Sequence, residues 1–463
     1  MNFARQWLLS EYKAGWEWWE QLFGSMHQWK RKEWQWLGAV LWVWGSVGIF
    51  FIIYFPYLYD EIFGYYYIVR RGVLVSAFYY PGPNNHILYH VLCATFLHYF
   101  SFLSVYGAIF LMRFLSLFFV FLSALFVFIA LRLRTRFVVA LWGMLFLLSS
   151  PHVMLYSWQG RGYGLLLFLS IIFFFSLKNY RVGSSIVIVL GMTCVPTFLY
   201  WWVSGWLWEW CHDGKLRKFW LKHIFAFLGV LIVYLPVYWL NGDRLLHNGW
   251  LQVYPLAEQW ALLPLYYWES SQNIANEYVG GWILGFVFVY ILWHHSERGL
   301  YFIFIAIPFL MLLWQGFLPP NRIWIAWGFL FVWGFATCMV YEKRFFYLLC
   351  IVLLLNFLSG YEGHLRFARQ NPDRWHFLET MTQKIPSKAI VGILEDTYQM
   401  YWLYYRLRFQ PTTQVVLMPT EIEMRRCDWL LCTKKQWKQL SKEAYWEVVF
   451  QNEEVLLIKR PQR

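Results

Sequence analysis

The chain has 463 residues, of which hydrophobic types make up 60% and charged types 14%, against about a quarter charged in soluble domains. That balance excludes a soluble globular protein, and 32 Trp, 32 Tyr and 43 Phe suit a bilayer, where aromatic rings settle at the headgroup level. The net charge of +13 reads first as the positive-inside bias of a membrane protein, so nucleic acid is not an expected partner.

Residues 1–35 read as a cytoplasmic N-terminal segment without a signal peptide, and 7–29 as an interfacial amphipathic helix ending near the basic Lys30-Arg31-Lys32. The alternative is an unstructured leader with chance Trp content. Because about 20 apolar residues cross the hydrocarbon, spans are expected near 36–58, 111–131, 137–155, 163–178, 184–197, 198–211, 223–240, 281–294, 300–317, 323–341 and 345–359. The count is eleven. The pair around Pro196 could instead form one long kinked helix.

With the N-terminus inside, the cytoplasmic turns are basic: Arg132/Arg134/Arg136, Lys178/Arg181, Lys215/Arg217/Lys218/Lys222, Arg298 and Lys343/Arg344. This parity requires residues 86–103 to lie along the interface, which places a long, structured outer loop at 59–110. Residues 360–463 carry 16 Lys+Arg and 12 Asp+Glu and read as a soluble tail outside the cytoplasm. Strands are expected at 389–394, 414–418, 427–433 and 455–459, and helices at 373–384, 397–407 and 434–443, a small α/β module. Cys427 and Cys432 are placed on one strand facing opposite ways, which argues against a disulfide between them. The expected fold class is therefore an α-helical polytopic membrane protein (36–359) with a small extracytoplasmic α/β module (360–463).

Ionisable groups at membrane depth mark functional sites, and those on the outer side are the informative ones. Asp60-Glu61 directly follows the first span; adjacent carboxylates repel, which equips the pair to take a proton. A helix start that favours acid is the plainer alternative. Arg113, Arg161 and Arg322 each stand at an outer helix end against the positive-inside trend, where guanidinium forks suit a phosphate; anchoring by snorkelling is the plainer role. His86 and His90 are four apart on one helical face, but no further ligand is tied to them and no metal site is indicated. Glu269 and Glu277 flank Asn273 and Asn276 in what reads as a polar loop, either a gate contacting an acceptor or a solvated loop.

These segments resemble a known superfamily. The acidic pair after the first span, PGPNNHILYH in the first outer loop, MRFLSLFF at the second span, SPHVMLYSWQGRGYGLLLF and LPPNRIWIA together resemble the glycosyltransferase-C (GT-C) superfamily, in its protein O-mannosyltransferase-like, family-39-like branch. The resemblance covers about residues 36–340. It implies a polyprenyl-phosphate sugar donor, a hydroxyl acceptor outside the cytoplasm (protein Ser/Thr, glycan or lipid), inversion at the anomeric carbon and, from its bacterial members, a bacterial inner membrane; with arginines to stabilise the leaving phosphate, no cofactor is required. Asp60 would be the general base with Glu61 shaping its neighbourhood or contacting the acceptor, and Arg113, Arg161 and Arg322 would hold the donor phosphate; apart from the resemblance, Asn85, His86, Tyr163 and Glu269 are candidate acceptor or loop contacts. Two departures stand out: Gln159 occupies a position that is Glu in many relatives, and the tail is too short for a β-trefoil.

Partners expected on this reading are the lipid-linked donor, the acceptor and membrane lipids. A transporter or flippase for lipid-linked sugars is the alternative. It would place ionisable groups near the midplane and repeat its halves, and neither pattern is visible in the sequence.

Overall fold

The computed structural model describes residues 29–338 apart from 56, 81–85, 180, 213–215, 243–252 and 276–279, residues 384–460 apart from 387, 395–413, 418, 425, 441–445 and 452–454, and Glu20, Gly24 and Met26. The N-terminal helix, the last span, the tail helices at 373–384 and 397–407, Asn85 and Glu277 lie outside the described residues.

Helices α1 (Arg31–Tyr54) and α5 (Val105–Arg132) form an antiparallel pair clamped at both ends. At one end Arg132 meets Glu33 at 3.1 Å. At the other, the Arg113 guanidinium donates to the Ile52 and Phe55 carbonyls at 3.0 and 2.8 Å, satisfying acceptors that the C-terminus of α1 leaves without helical partners. Between the clamps, Gly48 lets α1 close on Leu117: a β-carbon at Gly48 would stand 2.6 Å from the Leu117 side chain.

The segment between them is folded, as expected for residues 59–110. It comprises α2 (Tyr59–Phe63), a π-helical turn Gly64–Ile68, a 3-10 turn Val69–Arg71, α3 (Val73–Phe78) and α4 (Ile87–Tyr99). At 13 residues and about 1.5 Å per residue, α4 is shorter than about 30 Å of hydrocarbon, as are several of the helices that follow it.

Next come α6 (Phe137–Ser149), α7 (Pro151–Ser157), α8 (Tyr163–Asn179), α9 (Arg181–Cys194), α10 (Leu199–His212), α11 (Leu216–Asn241), α12 (Leu256–Ile274), α13 (Gly280–His294), α14 (Arg298–Gln315) and α15 (Trp327–Cys338). Among the described residues, α1, α5, α11 and α14 are long and apolar enough to cross a membrane; α6 and α7 pass together but bend by 67°, and α4, α8, α9 and α13 are shorter apolar helices. The chain is a multi-pass membrane protein. The Cys194–Thr197 region is a true break: Val195 is extended (φ −146°, ψ 124°) before a 3-10 turn, because Pro196 disfavours helical backbone in the residue before it.

Lys222, assigned above to a basic turn, lies instead inside α11 and is buried. Its ammonium is bonded to Glu209, whose other oxygen meets His223 Nε2 at 3.1 Å. A buried charge persists only when it is paired in this way. Lys222 therefore adds no free positive charge to that turn.

The tail is a mixed five-stranded sheet in the order β2-β1-β3-β5-β4, built from β1 (Ile390–Ile393), β2 (Gln414–Leu417), β3 (Trp429–Thr433), β4 (Glu447–Gln451) and β5 (Val455–Lys459). β1 runs parallel to β2 and β3, whereas β5 is antiparallel to β3 and β4. A helix α16 (Lys434–Leu440) follows β3. The expected strands are present; β4, half-exposed and of mixed polarity, was not foreseen. The strand parity expected for Cys427 and Cys432 does not hold. β3 begins only at Trp429, and both thiols sit free in one buried cluster with Leu430, Leu456 and Ile458.

Candidate active site

The two carboxylates of the acidic pair have different surroundings. Glu61 is fully buried. Its oxygens accept from Arg113 Nε at 2.9 Å and Nη2 at 2.6 Å, from the Leu58 amide at 2.8 Å and from the Gly160 amide at 2.6 Å. Arg113 is equally buried, its guanidinium lying 4.4 Å from the centre of the Tyr57 ring. Donations to Glu61 and to two α1 carbonyls use four of its five N–H groups. The pair thus ties α1, α2, α5 and the 158–162 loop together.

Asp60, one residue earlier on α2, points the other way. Its carboxylate is 24% exposed and meets Arg161 Nη1 at 2.6 Å. Arg161 and Arg322 both lie over the Tyr163 ring, at 5.2 and 5.9 Å, and Tyr156 packs against Tyr163 with ring centres 4.7 Å apart. Asp60, Arg161, Tyr163 and Arg322 therefore share one place, with two positive forks beside one reachable carboxylate. Arg113 is on the far side of Glu61.

Three glycines make the Arg161 loop possible. A β-carbon at Gly160 would lie 3.4 Å from Glu61 Oε1, one at Gly162 would come 2.9 Å from His86, and one at Gly164 would fall 2.6 Å from the Ser116 carbonyl oxygen. The Ser116 hydroxyl donates to the Arg161 carbonyl at 2.7 Å, and the Tyr89 hydroxyl donates to the Met112 carbonyl, which fastens the loop and α4 to α5. Gly164→Ala is expected to lower stability by about 1–3 kcal/mol through overpacking, read as a fall in the thermal midpoint of the purified protein; an unchanged midpoint would show that α8 can move away from α5.

Arg322 stands on a 3-10 turn (Asn321–Ala326) that is held from α12. Tyr266 donates to the Pro319 carbonyl and accepts from Trp324 Nε1, both at 2.7 Å, and Ser270 donates to Asn321 at 3.0 Å. Among the described residues the buried Nε of Arg322 has no hydrogen-bond partner, and neither have His86 Nε2 and His152 Nδ1. His86 donates from Nδ1 to the Cys194 carbonyl at 3.3 Å, and burial, with Arg161 nearby, holds it neutral, well below its ordinary pKa. His90 is pushed down to about 3 by burial. Among the described residues no third His, Cys, Asp or Glu joins them in a metal-holding group.

Of the residues singled out in the sequence, the structure brings together Asp60, Arg161, Tyr163, Arg322 and His86, and sets Glu61 with Arg113. Glu269 is not in a loop: it lies exposed on α12, which runs on to Ile274. Sequence reasoning missed Tyr156, which lies just before the QGRGYG segment, and Ser116, three residues after Arg113. The alternation Gly160, Gly162, Gly164 could have shown that backbone packs closely there.

The chain folds as a mostly helical, polytopic membrane protein with a small C-terminal sheet. Among solved structures it is similar to ArnT from Cupriavidus metallidurans in the apo state (TM-score 0.61, 10% identity, 91% of this chain and 97% of that one). It is also similar to the same protein bound to undecaprenyl phosphate (TM-score 0.49, 12% identity, the same coverage). At such identity the first likeness establishes the fold. No protein-family model and no curated protein sequence matches the chain.

Proposed function

We propose that the protein is an inverting glycosyltransferase that moves a sugar from a polyprenyl-phosphate donor to a hydroxyl acceptor on the outer side of the membrane, with Asp60 as general base. The observation that carries this reading is the division of labour in the acidic pair: Glu61 is sealed beneath Arg113, while Asp60 is open and flanked by Arg161 and Arg322. The ArnT-like fold supports the class of enzyme and of donor.

In the reaction the acceptor hydroxyl oxygen attacks the anomeric carbon from the face opposite the phosphate and gives its proton to Asp60. The bond from that carbon to the phosphate oxygen breaks, and its electron pair leaves with the polyprenyl phosphate. Negative charge grows on that phosphate, so fixed guanidinium groups stabilise the transition state more than the ground state. Arg161 and Arg322 serve this role. Arg113 acts through Glu61, holding α2 so that Asp60 faces the donor.

Arg322→Ala is expected to weaken binding of a polyprenyl monophosphate about 10- to 100-fold, the range of a lost hydrogen bond to a charged group, measured by thermophoresis on the detergent-solubilised chain. Unchanged affinity would remove Arg322 from the phosphate site. The reaction itself is tested by incubating the reconstituted protein with polyprenyl-phosphate sugars and following release of the polyprenyl monophosphate by mass spectrometry; no release with any donor would overturn the proposed function.

A further inference from the structure

We propose that His86 recognises the transferred sugar: its Nε2 accepts a hydrogen bond from a hydroxyl of the sugar carried by the polyprenyl phosphate, beside the two arginines that hold that phosphate. The inference rests on the glycosyl-transfer reading and gives its donor a specificity-determining residue.

His86 stands just before the first residue of α4 and is 3% exposed. The chain makes room for it at Gly162, where any side chain would run into it at 2.9 Å. Its ring packs edge-on against Tyr163, with centres 4.9 Å apart and planes inclined by 75°. Arg161 and Arg322 lie over that same Tyr163 ring, so the imidazole and both guanidinium groups are gathered around one residue.

The partners of the ring fix what it can do. A carbonyl oxygen only accepts, so the contact with Cys194 at 3.3 Å places a hydrogen on Nδ1. Burial and the nearby Arg161 and Arg322 keep the ring neutral. Nε2 is therefore a bare lone pair, and among the described residues this buried atom has no hydrogen-bond partner. Buried polar atoms of folded proteins are nearly always bonded, so an acceptor held without a partner beside two arginines marks where a hydrogen-bond donor arrives with the ligand. The phosphate is not that donor: in a polyprenyl-phosphate sugar it is a diester with no O–H, and it offers only acceptors. It suits Arg322, whose buried Nε also lacks a partner among the described residues. Nor is it the acceptor hydroxyl, which gives its proton to Asp60. The Asp60 charge acts on Tyr156 and Arg322, whereas the ionic side chains acting on His86 are Arg161 and Arg322. His86 thus stands on the phosphate side of the site, where the hydroxyls within reach belong to the sugar bonded to that phosphate. A sugar without the matching hydroxyl would leave Nε2 buried and unpaired, which is how such a site discriminates.

The test is calorimetric binding to the full chain in detergent micelles, without acceptor, of undecaprenyl phosphate and of undecaprenyl phosphate bearing glucose, mannose, galactose or N-acetylglucosamine. His86→Asn keeps an amide N–H where Nδ1 donates to Cys194 and removes the acceptor at Nε2. It should weaken the tightest-bound sugar-bearing donor about 10-fold, the worth of a buried hydrogen bond, and leave undecaprenyl phosphate affinity and the thermal midpoint unchanged. His86→Gln, which can return a carbonyl oxygen near the Nε2 position, should restore part of the loss. A second measurement needs only the parent protein: among monodeoxy forms of the same donor, at least one should bind about 10-fold weaker. Equal weakening of donor and undecaprenyl phosphate by His86→Asn, no weakening of either, an equal loss in His86→Gln, or full affinity for every monodeoxy donor would each overturn the proposal. Failure of the glycosyl-transfer reading looks different, since the parent protein would then bind neither undecaprenyl phosphate nor any sugar-bearing form of it.

Discussion

Asp60→Asn is expected to lower the turnover of sugar transfer by about 10²- to 10⁴-fold, the range of general-base catalysis, with polyprenyl monophosphate affinity and thermal midpoint near those of the parent protein. Asparagine is nearly the same shape and can still accept a hydrogen bond from Arg161, which now meets the carboxylate at 2.6 Å. What it lacks at neutral pH is the capacity to take the acceptor proton. The measurement is kcat with saturating donor, beside donor affinity on the same sample. Turnover within a few-fold of the parent protein would end the base assignment. A loss confined to donor affinity would instead make Asp60 a support for Arg161.

Arg113→Met is expected to destabilise the protein by about 3–5 kcal/mol, the usual cost of stranding one partner of a buried ion pair. Glu61 would remain buried with two backbone amides and no countercharge, and the α1 carbonyls of Ile52 and Phe55 would lose their donor. Glu61→Leu should be costly for the reciprocal reason. The double variant Glu61→Leu/Arg113→Met should recover part of the loss, because replacing both members of a buried pair by apolar side chains is often near neutral. The readout is the thermal or denaturant midpoint of the three proteins in one detergent. An Arg113→Met protein that stayed fully stable and lost only donor affinity would return Arg113 to the phosphate site.

These two variants separate residues that the sequence could not. Asp60 and Glu61 are neighbours of the same chemical type, and apart from the family resemblance, which pointed to Asp60, each has the same claim to be the base. Arg113, Arg161 and Arg322 all stand at helix ends against the charge bias and look equally fit to hold phosphate. The distinction comes from α2: successive helical residues point about 100° apart, so one acid of the pair turns into the α1/α5 seam and the other toward the 158–164 loop and Arg322. Which one turns inward depends on contacts between residues 52 and 99 positions apart.

Local reading worked where the signal was local. The apolar helices, the break before Pro196 and the tail strands at 390–393, 414–417, 429–433 and 455–459 follow from hydropathy, proline geometry and β-type runs. It failed where packing decides. Glu269 was read in a loop because Ser, Gln and Asn surround it, but α12 continues through them with its buried Ser270 bonded to Asn321. β4 was missed because an edge strand need not be apolar. Its partner β5 supplies the pairing.

Composition and hydropathy alone determined that this chain lives in a bilayer and ends in a stretch of more polar composition, because transfer free energy is a sum over residues and needs no knowledge of neighbours. Only the tertiary structure decided which carboxylate is sealed and which is open, and which arginine braces the helices. Such properties depend on which distant groups meet in a low-dielectric interior, where one partner more or less changes a side chain's role.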